Sequence, residues 1–231
     1  GRRREAVLDP DWLSYLEALA GQAAIAIENA RLFEALQRSN TELTLAYDAT
    51  LNSWAQAIDQ RNQEAPGHSQ RAADLALQLA RALGFDESKL AHLRRGALLH
   101  DIGHLSLPES LLQKPGPLTE AEWTAVRQHP AWAHALLASV QFLQPALDIP
   151  LYHHEKWDGT GYPHGLRGPQ IPLSARIFSV VDVWVVLRSA RPYRPPWPAE
   201  TARDYVHSQA GAHFDPDIVA AFLRLELHED D

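Results

Sequence analysis

The sequence predicts an all-α fold, and three observations carry that prediction. Helix start and stop signals recur along the chain, and the apolar residues between them repeat at three and four positions. Strong helix formers fill a long stretch near the beginning. No segment shows the alternating, turn-bounded pattern of a β-hairpin.

From about Asp11 to Ala57 the chain is rich in Ala, Leu, Glu and Gln, with no proline after Pro10. One long helix is expected there. Asp9-Pro10-Asp11 opens it, with aspartate as N-cap and proline in the first turn, where its missing N–H is not needed. Ile25, Leu32, Leu36, Leu43, Ala46 and Thr50 recur near heptad spacing, and Asn29 and Ser39 interrupt the seam. That spacing predicts a homodimer through the N-terminal helix, with a helix packed on its own domain as the competing reading.

From Leu51 onward the pattern becomes a succession of helices. Ser69 to Leu83 is amphipathic, with Ala72, Leu75, Ala76, Leu79 and Leu83 on one face and Gly84 as the stop. Asp86 caps a helix that runs to Leu99 and delivers His100-Asp101 at its inner end. Thr119-x-x-Glu122 is a capping box opening the helix expected to carry His129, with Pro130 placed to end or kink it. Ala131 to Val140 resumes helical spacing, and Leu143 to His154 is the next expected helix. Pro163 to Pro172 is a Gly/Pro loop. Ser174 to Leu187 is β-branched, but its length and its Ser174 start signal favour a buried helix. The division expected is a helical segment over 1–50, a compact domain over 51–225 and a disordered tail over 226–231.

Composition bounds the chemistry. With 45% hydrophobic and 22% charged residues the chain is an ordinary globular one, and with no cysteine its metal ligands can only be nitrogen and oxygen. That fits a cytoplasmic protein. No apolar run is long enough to span a bilayer. A net charge of -8 argues against a general surface for nucleic-acid polymers, so an anionic substrate must be drawn in locally.

The segment His100-Asp101-Ile102-Gly103-His104 holds the chemistry. Twelve histidines occur in 231 residues, so some are incidental, but these keep informative company. Glu64 and His68 are spaced i, i+4, which on a helix puts them on one face. His129, His153-His154 and Asp182 follow, and Asp182 interrupts an apolar run where an unpaired carboxylate is costly. Imidazoles suit borderline transition metals, and a carboxylate can bridge two ions. The set reads as a multinuclear metal site of the kind that serves phosphoryl transfer.

In order along the chain stand Gly67-His68-Ser69, His100-Asp101-Ile102-Gly103, Lys114-Pro115-Gly116-Pro117-Leu118-Thr119, His129-Pro130, His153-His154-Glu155, Trp157-Asp158-Gly159-Thr160-Gly161-Tyr162-Pro163 and Arg191-Pro192-Tyr193-Arg194. This ordered set resembles the HD-GYP branch of the HD phosphohydrolase superfamily, over roughly residues 50 to 225. The resemblance implies an HD-domain helical bundle with an irregular Gly-Tyr-Pro loop. It implies metal-dependent hydrolysis of cyclic di-GMP to pGpG or onward to GMP.

By the same resemblance His68, His100, Asp101, His129, His153, His154 and Asp182 are metal ligands, and with Glu64 as a further ligand the set implies two or three ions. Fe or Mn is expected, with Zn and Ni as alternatives. Asp101 and His104 are the expected catalytic residues, and Tyr162, Arg191 and Arg194 the expected substrate contacts. His104 stands where most members carry Lys. Val185, Arg188 and Ala190 replace the usual Asp, Thr and Asp. Those changes leave two other readings open, a weak or inactive module that binds a cyclic dinucleotide or a protein, and a hydrolase of another nucleotide. The remaining histidines, His92, His134, His164, His207, His213 and His228, match no motif. The stretch from Leu16 to Phe33 resembles the terminal helix of a GAF sensory domain, so an upstream sensor is expected to precede this chain.

Overall fold

The computed structural model describes residues 9–114, 116–190 and 194–226; Pro115, Arg191 and all of the expected 226–231 tail after Glu226 lie outside the described residues. Helix α1 spans Pro10–Arg61 and continues a few residues beyond the sequence expectation. Its start is as expected: the Asp9 carboxylate accepts the Asp11 N–H at 3.0 Å. The chain divides at Ala49/Thr50 into two compact units. In the first unit the described residues lie on α1 and are almost all exposed, including Ile25, Leu32, Leu36 and Leu43.

The second unit is an α-helical bundle, and the described residues contain no β-strand; an isolated bridge joins Ala210 and Phe214. After α1 come α2 (His68–Ala82), α3 (Glu87–Leu98), a 3-10 helix (Ile102–Ser106), α4 (Glu109–Leu112), α5 (Glu120–Val126) and α6 (His129–Leu137). A 3-10 helix (Gln141–Ala146), α7 (Asp148–Tyr152), the Gly-Tyr-Pro loop, α8 (Leu173–Arg188), α9 (Ala199–Ser208) and α10 (Pro216–Phe222) complete it.

Helix α8 is the axle. It packs against α2, α7, α9 and α10, and α2 packs in turn on α3. Ala175, Ile177, Phe178, Val180, Val181, Trp184 and Val185 are buried around α8, as a helix enclosed by others requires. Trp184 meets Phe222 of α10 edge-on at 5.3 Å. Helices α2 and α3 bury Leu75, Leu79, Leu93, Ala97 and Leu98 in the same core.

Three local expectations are corrected. The Thr119/Glu122 capping box forms, but α5 ends at Val126 and His129 opens α6 instead of riding on α5. Pro130 suits the first turn of a new helix, where no N–H is required. The helix expected from Leu143 to His154 is broken into a 3-10 turn and the short α7, with Pro145 inside the turn. Glu64 and His68 do not share a helix: Glu64 lies in the turn after α1, and His68 is the first residue of α2.

Candidate metal centre

Separate elements deliver one cluster. His68 comes from the start of α2, His100 and Asp101 from the turn after α3, and His129 from the start of α6. His153 and His154 follow α7, and Asp182 projects from the middle of α8. Their ligand atoms form two groups, Asp101 with His129, His153 and His154, and His68 with His100 and Asp182. Within each group the atoms lie within 4.8 Å of one another.

Asp101 joins the groups. Its Oδ1 lies 3.5 Å from Nε2 of His129 and 3.7 Å from Nε2 of His153. Its Oδ2 lies 3.5 Å from Nε2 of His100. Asp182 Oδ1 lies 3.7 Å from Nε2 of His68 and 3.9 Å from Nε2 of His100. The carboxylate of Glu64 approaches the other nitrogen of His68 at 3.8 Å.

Backbone carbonyls orient the imidazoles. His100 Nδ1 donates to Ala97 O at 2.8 Å, His129 Nδ1 to Val126 O at 2.8 Å, and His153 Nδ1 to Ile149 O at 3.0 Å. Each bond fixes the tautomer and leaves a bare Nε2 facing the cluster. Two of those bare nitrogens, on His129 and His153, lie 3.4 Å apart. Two lone pairs meeting without a proton between them suit a shared cation, and the nitrogen and oxygen donors suit divalent first-row metals. The residues therefore fit metal ions.

The electrostatics differ between the two ligand groups: burial opposes the charging of His100, but the Asp101 and Asp182 carboxylates overcome it and raise that imidazole, whereas His129 and His154 are held down. Burial drives His129 down to about 3, against the pull of Asp101. Burial likewise holds His154 well below the usual histidine range, with His153 adding to it. Both stay neutral, as ligands must. Burial resists ionisation of Asp101, but His104 and His100 hold its carboxyl well below the carboxylate range. Burial opposes ionisation of Asp182 too, and the His68 hydrogen bond and His100 overcome it.

Residues 52–218 match a family model described as HD domain. The chain belongs to the HD domain family. Among curated relatives, the cyclic di-GMP phosphodiesterase response regulator RpfG of Xanthomonas campestris is 42% identical over 177 residues, 76% of this chain and 47% of that protein. The 3′3′-cGAMP-specific phosphodiesterase 2 of Vibrio cholerae is 34% identical over 210 residues, 90% of this chain and 39% of that protein. This chain thus spans less than half the length of either. The crystal structure of a V. cholerae cyclic GMP-AMP phosphodiesterase, V-cGAP3, superposes with a TM-score of 0.61 at 18% identity, covering 76% of this chain and 47% of that one, which shows a shared fold.

The HD domain presses its motifs together closely enough to fix their glycines. A Cβ on Gly103 would sit 1.9 Å from the His129 carbonyl oxygen, so the 3-10 helix after Asp101 can lie on α6 only with glycine there. A Cβ on Gly161 would come 2.3 Å from Lys156 N and 2.6 Å from His154 O. That approach sets Tyr162, whose ring stacks on His154 with centroids 4.7 Å apart. The Tyr162-Pro163 peptide is cis. Burial first, then the Asp101 charge, pushes the Tyr162 phenol up, so it stays protonated.

Arg194, an expected substrate contact, bonds backbone carbonyls. Its guanidinium donates to the carbonyls of Val186 and Leu187 at the end of α8, at 2.9 and 3.3 Å. Arg188, one of the atypical residues, donates to Trp197 O at 2.8 Å, and Trp197 N returns a bond to Leu187 O at 2.9 Å. The segment after the described gap is therefore fastened to α8 partly by Arg188 itself. Val185 is buried core, and Ala190 is exposed.

Several structural supports were not singled out from the sequence. The buried Glu155 carboxylate accepts the N–H groups of His164 and Leu166 at 2.7 and 2.9 Å, holding the Gly-Tyr-Pro loop beneath Tyr162. Arg176 bonds the buried Asp215 at 2.7 Å and lies 5.8 Å from the Trp157 ring. Asp59 accepts both the N–H and the hydroxyl of Ser69, next to His68. Asn62 reaches Asp101 and His104 at once. Glu155 and Ser69 lie inside the recognised motifs and could have been flagged; Asn62 carried no sequence signal. Lys114, also in a motif, is tied to Glu122, which it and Thr119 draw down to about 2.

Proposed function

We propose that this HD domain is a metal-dependent phosphodiesterase that hydrolyses cyclic di-GMP to pGpG or onward to GMP. One observation carries the reading: the Asp101 carboxylate turns one oxygen to His129 and His153 and the other to His100. Asp101, His129, His153 and His154 would hold one ion, and His68, His100, Asp101 and Asp182 another, with Glu64 available to a third. Fe and Mn suit this set best, and Zn and Ni also fit it. When bound, such ions supply hydroxide at neutral pH and offset the negative charge gathering on phosphoryl oxygens.

The chain's own residues supply orientation. Carbonyl bonds preset the imidazoles, so little reorganisation is needed. Tyr162 offers a protonated hydroxyl and an aromatic body to a nucleotide. Arg191 is assigned a phosphate contact on the family resemblance alone. Arg194 is assigned the same role on the same ground, with its guanidinium also holding its segment on α8. The names of the relatives support a cyclic dinucleotide substrate and include both cyclic di-GMP and 3′3′-cGAMP enzymes.

Among the described residues no helix is long and apolar enough to cross a membrane. A cytoplasmic setting, a GAF-like sensor upstream and a homodimer through α1 complete the proposal. The dimer is supported by the exposure of Ile25, Leu32, Leu36 and Leu43 along one helix.

The test is elemental analysis of the purified protein together with product analysis on cyclic di-GMP and 3′3′-cGAMP. At least two ions per chain and a linear dinucleotide product are expected. Protein that takes up no transition metal under reducing, metal-replete conditions would overturn the proposal. Metal-loaded protein that binds but never cleaves either nucleotide would favour the sensor reading.

A further inference from the structure

Helix α2 begins on an expected metal ligand and has no cap of its own. Gly67 stands at its N-cap position, and no side-chain cap bond forms there. The first N–H groups of a helix need acceptors from elsewhere, and an N-cap side chain ordinarily serves the second or third of them. His68 is the first helical residue and Ser69 the second. The Ser69 N–H is taken by Asp59 Oδ2, at 3.1 Å, from the last turn of α1. The other oxygen of Asp59 accepts the Ser69 hydroxyl. A carboxylate of the preceding helix thus stands in for the missing cap, and its charge suits the positive end of α2.

Asp59 is 4% exposed and Ser69 2%. A carboxylate so deeply buried is costly unless its oxygens are bonded, so the pair of bonds to Ser69 fixes one placement of α2 on α1. The Asp59 backbone oxygen also accepts the Glu64 N–H, at 2.9 Å. One residue of α1 therefore holds both the turn that carries Glu64 and the helix end that carries His68. Asp101, His129, His153 and His154 come from elements after α2, and Asp59 hydrogen-bonds none of them.

We infer that Asp59 is a positioning residue: by capping α2 from outside, it keeps His68 in register with His100 and Asp182, so that one of the two ion sites depends on the last turn of α1. The inference rests on the metal reading of the site. It treats the two ligand groups unequally, because losing the cap frees the start of α2 and leaves the Asp101, His129, His153 and His154 group on its own elements.

Calorimetric titration of the metal-depleted full chain with Mn²⁺ tests it, with far-UV circular dichroism as the check on folding. The wild type should take up at least two ions. Asp59→Ala should weaken one of them about 10–100-fold and leave the other unchanged. Asp59→Asn should retain most of the affinity, since a carboxamide can still accept the Ser69 N–H and donate to its hydroxyl. In a His68→Ala background Asp59→Ala should cost nothing further, whereas in a His129→Ala background it should keep its full effect. Equal weakening of both ions, an undiminished loss in the His68→Ala background, or an Asp59→Asn loss as large as that of Asp59→Ala overturns the inference. Should Asp59→Ala fail to fold, Ser69→Ala deletes only the hydroxyl bond and should weaken the same ion by a smaller factor; unchanged binding by that variant is then the overturning result. A wild-type chain that binds no Mn²⁺ removes the metal reading and this inference together. Normal wild-type binding with an unaffected Asp59→Ala removes this inference alone.

Discussion

Helices α1 and α8 are both long and rich in aliphatic residues, yet they are helical for opposite reasons. Every described residue of α1 before Thr44 is exposed. That stretch is built of Ala, Leu, Glu and Gln, whose side chains lose little freedom in a helix. Helix α8 is the reverse. Val180, Val181, Val183, Val185 and Val186 give it weak helix propensity, but burial in the bundle imposes the conformation. The difference shows where chemistry can be built. A carboxylate in the middle of an exposed helix meets only water, whereas Asp182 on α8 meets His68 and His100.

The largest expected effect tests that contrast at the metal centre. Asp101→Ala should lower turnover by roughly three orders of magnitude and strip at least one ion, while far-UV circular dichroism keeps the helical signal of α1. Unchanged metal content would show that Asp101 is not the bridge between the two ligand groups.

The next effect compares the two helical environments directly. Phe178 is fully buried on α8 and lies 4.9 Å from the His100 ring. Phe178→Ala should cost about 3–5 kcal/mol of unfolding free energy and weaken metal retention. Phe33 on α1 is 60% exposed, and Phe33→Ala should stay within about 0.5 kcal/mol for the monomer. Denaturant titrations of both variants decide it. Similar losses would mean that α1 is packed as tightly as α8.

A smaller effect concerns what α1 is exposed for. Each leucine leaving water in a seam contributes on the order of 1.5–3 kcal/mol. Replacing Leu36 and Leu43 with Glu should give a monomer that keeps its metals and some basal activity. A wild-type chain that sediments as a monomer at tens of micromolar removes the dimer and leaves the metal centre untouched.

The smallest effect is a pH dependence confined to the bundle, since no histidine precedes residue 50. Burial, with Lys156 adding to it, drives His213 from 6.5 to about 4. Between those values the unfolded chain binds the proton and the folded one does not, so stability rises with pH across the window and is lost as pH falls through it. The slope from this group is at most ~1.4 kcal/mol per pH unit. His213→Gln should flatten it in metal-free protein. An unchanged slope would assign the acid sensitivity to other groups.

Much of this was legible in the chain itself. The motif order gave the family, and heptad-like spacing with strong helix formers gave α1. Capping residues located α3 and α5, because Asp86 and Thr119 bond their own helices within three residues. Expectations failed where a local pattern competed with the fold. His129 looked like part of the helix opened by Thr119, and the region from Leu143 to His154 looked continuous. A proline lies near each break: Pro130 in the first turn of α6, and Pro145 inside the 3-10 helix before α7.

The sequence by itself determined which residue types were available: imidazoles and carboxylates without a thiol, helix formers in one stretch, and a Gly-Tyr-Pro loop. These follow from composition and short-range spacing. Only the tertiary structure decided that the two Asp101 oxygens face different histidines, that Arg194 is committed to carbonyls of α8, and that Asn62 meets His104 across 42 positions of chain. Such pairings depend on how helices distant in sequence pack around α8. No local propensity encodes them, because the free energy that fixes them comes from burial shared by the whole bundle.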